Sequence, residues 1–104
     1  MNFADILKII AGSAKNRKTV KIYYPKTEKT PAGWREVEPY SFATDVGKEG
    51  EHLVYGREIV TPGHILNAYT IGSRNRHCSS FILGKIKKAK AGDYQFKPKW
   101  KIEI

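Results

Sequence analysis

Past residue 18, prolines and glycines cut this chain into short runs that alternate apolar with polar residues, and that punctuation leaves room for strands but not for long helices. "TVKIYY" alternates Val20, Ile22 and Tyr24 with Lys21 and Tyr23 until Pro25 ends it. The loop "PKTEKTPAGW" leads into "WREVEPYSFATDV", whose β-branched and aromatic content predicts a long strand bent at Pro39, where no ladder donor exists. "EHLVYGREIV" and "HILNAYTIG" read as two further strands that pair as neighbours across the turn Thr61-Pro62-Gly63. "SSFILGKIKKAKAGD" reads as one strand, with Gly84 as a bulge that lets Phe81, Leu83 and Ile86 share a wall. Gly92-Asp93 then reads as a hairpin turn. Tyr94, Phe96, Pro98, Trp100, Ile102 and Ile104 form the clearest period of two, in a strand that Pro98 confines to an edge or breaks.

Only the start of the chain departs from this pattern. Phe3, Ile6, Leu7, Ile10, Ala11 and Ala14 recur at helical spacing, Asn2 is placed to cap, and Asp5 and Lys15 suit the two ends of the helix dipole. One helix over residues 1–16, followed by five or six bent strands over 17–104, predicts a single mainly β domain: a small SH3-like or Sm-like barrel with an N-terminal helix. An open α+β sheet is the other arrangement these elements allow. An apolar share of 40% in 104 residues supplies one modest core.

Nineteen Lys and Arg against ten Asp and Glu leave a net charge of +9, which favours polyanionic partners through counterion release. The cations cluster late, at Arg74 and Arg76, then Lys85, Lys87, Lys88 and Lys90, then Lys97, Lys99 and Lys101. If the last two strands form a hairpin, their lysines line up as a basic stripe, which serves either to follow a phosphate backbone or to keep a sheet edge from aggregating. Arginine recognises phosphate with a planar fork that lysine lacks, so Arg74 and Arg76 are better recognition candidates than the lysines. Tyr23, Tyr40, Tyr55 and Trp34 are candidates for stacking on unpaired bases, and each also suits a core.

Other chemistries find little support. Cys78 is the single cysteine, so no internal disulfide forms, and a reducing, cytoplasmic setting is expected. His77 is a poor base for it, because neighbours on an extended strand point to opposite faces, although the basic surroundings can lower the thiol pKa. One Cys and three scattered His do not make a zinc site, and no phosphate-binding glycine loop is present. No catalytic residue, metal or cofactor is therefore expected. Neither a signal peptide nor a membrane span is expected.

"VKIYY", then Arg35 with Glu38-Pro39-Tyr40, then "HILNAY", "SSFILGKI" and "YQFKPKW" occur in an order that resembles the WYL domain family over residues 17 to 100. Arg35 and Pro39 match that family's "R-x-x-x-P" segment, and His64-Ile65-Leu66 takes the place of the naming tripeptide, keeping its Leu. Phe81, Leu83 and Ile86 match apolar positions of a later strand motif; Lys85 replaces its second arginine, and Ile82 and Gly84 replace an arginine and an aspartate. The resemblance implies an Sm-like barrel that binds a nucleic acid or nucleotide and regulates transcription through an attached DNA-binding module. No helix-turn-helix lies in this chain, so that module would belong to a protein partner.

The resulting expectation is a non-enzymatic, ligand-sensing or nucleic-acid-binding regulatory domain. Arg35, Arg74, Arg76, Lys85 and Lys87 would grip the anion, with Tyr40 or Tyr69 beside it. The competing expectation is an SH3-like protein-interaction or homo-oligomerisation module, working through a sheet edge or an apolar groove.

Overall fold

The computed structural model describes residues 1–43, 52–53, 60–72 and 78–104. It is mainly β, with one N-terminal helix. Helix α1 spans Phe3–Lys15; the Asn2 side chain accepts a 2.9 Å hydrogen bond from the Asp5 N–H, the cap that the sequence suggests. Arg17, at φ 53°, makes the sharp exit into the first strand.

The strands are β1 (Lys18–Tyr24), β2 (Gly33–Ala43), β3 (His52–Leu53), β4 (Ile65–Thr70), β5 (Ser79–Ile82) and β6 (Lys88–Gln95). They form one antiparallel sheet in the order β5-β4-β2-β1-β6, with the short β3 also on β2. A 3-10 turn over Leu83–Lys85 links the two outer strands, and no ladder joins β5 to β6 among the described residues. The sheet is thus not a closed barrel.

Alternation in β1 works as the sequence implies: Val20, Ile22 and Tyr24 are buried at 5% exposure or less, and Val37 stands opposite Val20. Ile6 and Ile10 of α1 close this layer, packing with Phe42, Leu66, Phe81, Leu83 and Ile86. Full burial of one such aliphatic side chain contributes about 1.5–3 kcal/mol. Pro39 is buried in β2 at a register shift against β4, so the predicted bend is a bulge that adds Tyr40 to the strand.

Three sequence expectations need correction, and a fourth, the pairing of "EHLVYGREIV" with "HILNAYTIG", falls mostly on residues outside the described ones; among the described residues β3 and β4 each pair with β2, at Phe42 and Ala43. Residues 79–95 are two strands separated by the 3-10 turn, because Gly84 donates its N–H to the Pro62 carbonyl at 2.9 Å and a Cβ there would meet Pro62 at that same distance. Gly92-Asp93 is not a hairpin turn but a bulge inside β6, wrapped around Thr19. Residues 96–104 lie outside the ladder, so the two lysine runs do not pair into a stripe.

That C-terminal tail recrosses the sheet. Glu103 donates its N–H to the Tyr40 carbonyl at 2.7 Å, Lys99 donates its N–H to the Tyr40 hydroxyl at 3.1 Å, and Ile104 packs against the core. Among the described residues no helix is long and apolar enough to cross a membrane.

Candidate anion site around Arg35

Arg35 stands opposite Ile22, on the core-facing side of β2, near the end of the sheet where the core opens. Its guanidinium carbon lies 5.2 Å from the centre of the Tyr24 ring and 5.8 Å from that of Phe81. Those two rings meet edge to face at 5.1 Å, and the Tyr24 hydroxyl accepts the Ile82 N–H at 2.9 Å. The aromatic bed is therefore fixed by β1 and β5 together, and the guanidinium rests on it by cation–π attraction.

The arginine's hydrogen bonds are poorly met. Its Nη2 donates to the Pro25 and Pro31 carbonyls at 3.5 and 3.4 Å, both longer than the usual range. Its Nε is buried and has no hydrogen-bond partner among the described residues. A buried donor left unpaired costs about 1–3 kcal/mol, so the site holds donor capacity that a ligand can use.

Around it is a cleft of about 480 Å³ lined by Tyr24, Thr27, Lys29, Thr30, Arg35, Thr70, Ser79, Ser80 and Phe81. Two of these side chains are cationic and none is a carboxylate; the hydroxyls of Thr30, Thr70, Ser79 and Tyr24 add neutral polar groups, while Ser80 already donates to Asn67 Oδ1 at 3.2 Å and Thr27 to the Thr30 carbonyl at 3.5 Å. The β1–β2 loop that carries Lys29 is tied to itself: Thr27 donates its N–H to the Thr30 carbonyl at 2.8 Å, and Thr30 donates its N–H to the Thr27 hydroxyl at 3.2 Å. An under-used guanidinium beside a second cation, with no carboxylate among the described lining residues, is chemically able to pair with a negative charge.

The other residues expected from sequence are distributed differently. Arg74 and Arg76 lie outside the described residues, as do His77 and Tyr55. Lys85 is exposed on the 3-10 turn and Lys87 is exposed just after it, its N–H donated to the Tyr23 carbonyl at 2.9 Å; neither lines the cleft. Tyr40 is 2% exposed, so it offers no ring face to a ligand. Its hydroxyl donates to Glu38 Oε1 at 2.6 Å, and burial, followed by that hydrogen bond, raises its pKa.

Tyr69 belongs to the same cluster under the C-terminal tail, with the Lys99 ammonium 4.4 Å from its ring centre and Trp100 at 6.0 Å. Lys99 also pairs with the buried Glu38 at 3.0 Å. Lys29 is the residue that sequence reasoning missed. It sits in a loop whose composition signals only a turn, and nothing in "PKTEKTPAGW" tells which of its side chains folds back over β2.

Cys78 is half-buried, and its thiol is pushed up to about 11 by burial and then by the Glu38 charge, the opposite of the lowering that its basic sequence neighbours suggest. Comparison with known proteins adds no family: no family model and no curated protein sequence matches the chain.

Proposed function

We propose that this chain is a ligand-sensing domain that binds, rather than transforms, a nucleotide-sized anion in the Arg35 cleft, and that it is a divergent relative of the WYL domains with an SH3-like or Sm-like fold. The fold reading is supported by the strand order β5-β4-β2-β1-β6, the preceding helix and the 3-10 turn between the outer strands, an order that resembles a small barrel left open at one seam. Arg35 and Pro39 carry the family resemblance on β2, one in the cleft and one at the bulge.

The observation that carries the functional reading is the Arg35 guanidinium, bedded on two aromatic rings with a buried Nε unpaired among the described residues, in a cleft whose described lining holds no carboxylate. A volume of about 480 Å³ suits one nucleotide better than a folded polymer. Cys78 does not support a catalytic reading of this cleft, because it is not among the lining residues and burial pushes its thiol up to about 11. Occupancy can be sensed, because Thr27 and Lys29 on the β1–β2 loop and Ser79 and Ser80 on β5 wall the same cleft, and a ligand that touches both ties loop to strand.

Calorimetric titration with nucleoside monophosphates and with the uncharged nucleosides tests this. Heat should appear only with the phosphate, weaken with salt, and fall about tenfold or more in both Arg35→Lys and Arg35→Met. Equal binding of nucleoside and nucleotide, or unchanged affinity in correctly folded Arg35→Met, contradicts the reading.

A further inference from the structure

The outward face of the sheet carries a second surface of different construction. Across β2, β1 and β6 the residues that alternate with the core form two rows: Trp34, Tyr23 and Lys88 stand opposite one another, and Glu36, Lys21 and Lys90 form the next row. Trp34 is 44% exposed. Even so, its ring is held from two sides, by Tyr23 edge-on at 5.6 Å and by the Lys90 ammonium 4.4 Å from its centre.

The negative charge on this face is already committed. Glu36 Oε2 accepts the Thr19 hydroxyl at 2.6 Å and the Asp93 N–H at 2.7 Å, and Asp93 pairs with Lys21 at 2.6 Å. Lys88 and Lys90 are exposed, and no carboxylate pairs with either among the described residues.

We propose that this face binds single-stranded nucleic acid, with an unpaired base stacking on Trp34 and the ammonium groups of Lys88 and Lys90 on the flanking phosphates. A fixed, solvent-open indole has little rotamer freedom to lose when a flat ring settles on it, and stacking tolerates any base. Charge complementarity favours a polyanion over a protein partner: the two rows hold aromatic and charged side chains, with no aliphatic residue to fill a hydrophobic pocket. The surface is separate from the anion cleft, because Trp34 and Arg35 are consecutive on β2 and point to opposite sides of the sheet.

Fluorescence anisotropy with a labelled thymidine dodecamer, and with an abasic oligomer of equal length, tests the assignment across a salt series. The thymidine strand should bind about tenfold or more tighter than the abasic one. Trp34→Leu should remove that difference without changing abasic binding, Trp34→Phe should retain most of it, and the double change Lys88→Ser with Lys90→Ser should weaken both oligomers. Arg35→Met should change neither, which separates this surface from the nucleotide cleft. The proposal is overturned by equal affinity for the two oligomers, by thymidine binding in Trp34→Leu that matches the wild type, or by no binding at low salt. Thermal melting of each variant confirms that the sheet is intact.

Discussion

Cys78 and Tyr40 show how far a side chain's chemistry depends on where its backbone is put. Burial comes first in raising both pKa values, and the Glu38 carboxylate adds to it in each case. Cys78 should therefore react slowly with an alkylating reagent at neutral pH and faster as the pH approaches about 11, while the unfolded chain reacts as an ordinary thiol. The same shift affects stability. Below the ordinary thiol value of 9.0 both states hold the proton and the contribution is whole; above it the unfolded chain deprotonates first, so stability falls until the folded thiol titrates near 11. Melting temperature should decline across that window, and Cys78→Ser should make the decline shallower; an identical slope would contradict the burial account. The sequence placed this cysteine among arginines and a histidine, and the opposite shift was not legible there, because Glu38 and the burying elements come from distant parts of the chain.

Among the elements, the strands with a clean period of two were readable and the two ends of β6 were not. β1 shows its alternation openly; β2 is marked by its β-branched and aromatic content and is buried continuously from Val37 to Ala43, and Pro39 marks its bend by the donor it lacks. Gly92-Asp93 carries the composition of a turn, yet the chain continues along β1, because Thr19 makes up for the lost ladder bonds: its hydroxyl accepts the Tyr94 N–H at 3.1 Å while Glu36 takes the Asp93 N–H. A Cβ on residue 92 would stand 2.6 Å from the Thr19 carbonyl, backbone that cannot swing aside. Gly92→Ala should lower stability by about 1–3 kcal/mol in denaturant titration. Wild-type stability would mean that the bulge is not held as described. The alternation of Phe96 to Ile104 signalled neither pairing nor one-sided burial: Phe96 is buried and Ile102 and Ile104 are half-buried, but Trp100 is exposed, Lys99 turns toward buried Glu38, and Pro98 interrupts the tail.

At the scale of the whole molecule, one strand separates two surfaces. β2 sends Arg35 to a cleft on the core side and Trp34 to the open face, and a net charge of +9 favours anions at both. The mainly β class with one N-terminal helix was legible because a single helical stripe and short punctuated runs leave few alternatives, whereas the closure of a barrel was not, since it depends on which outer strands meet. Of the proposed site only Arg35 was named from sequence; the second cation of the cleft, Lys29, and its hydroxyl wall converge from the β1–β2 loop, β4 and β5, which no local pattern relates. The most direct measurement of the central claim is side-chain amide NMR of the arginine Nε–H groups during titration with a nucleoside monophosphate. The Arg35 resonance should move saturably with the nucleotide and stay still with the uncharged nucleoside; a nucleotide that binds while that resonance stays fixed would contradict the account.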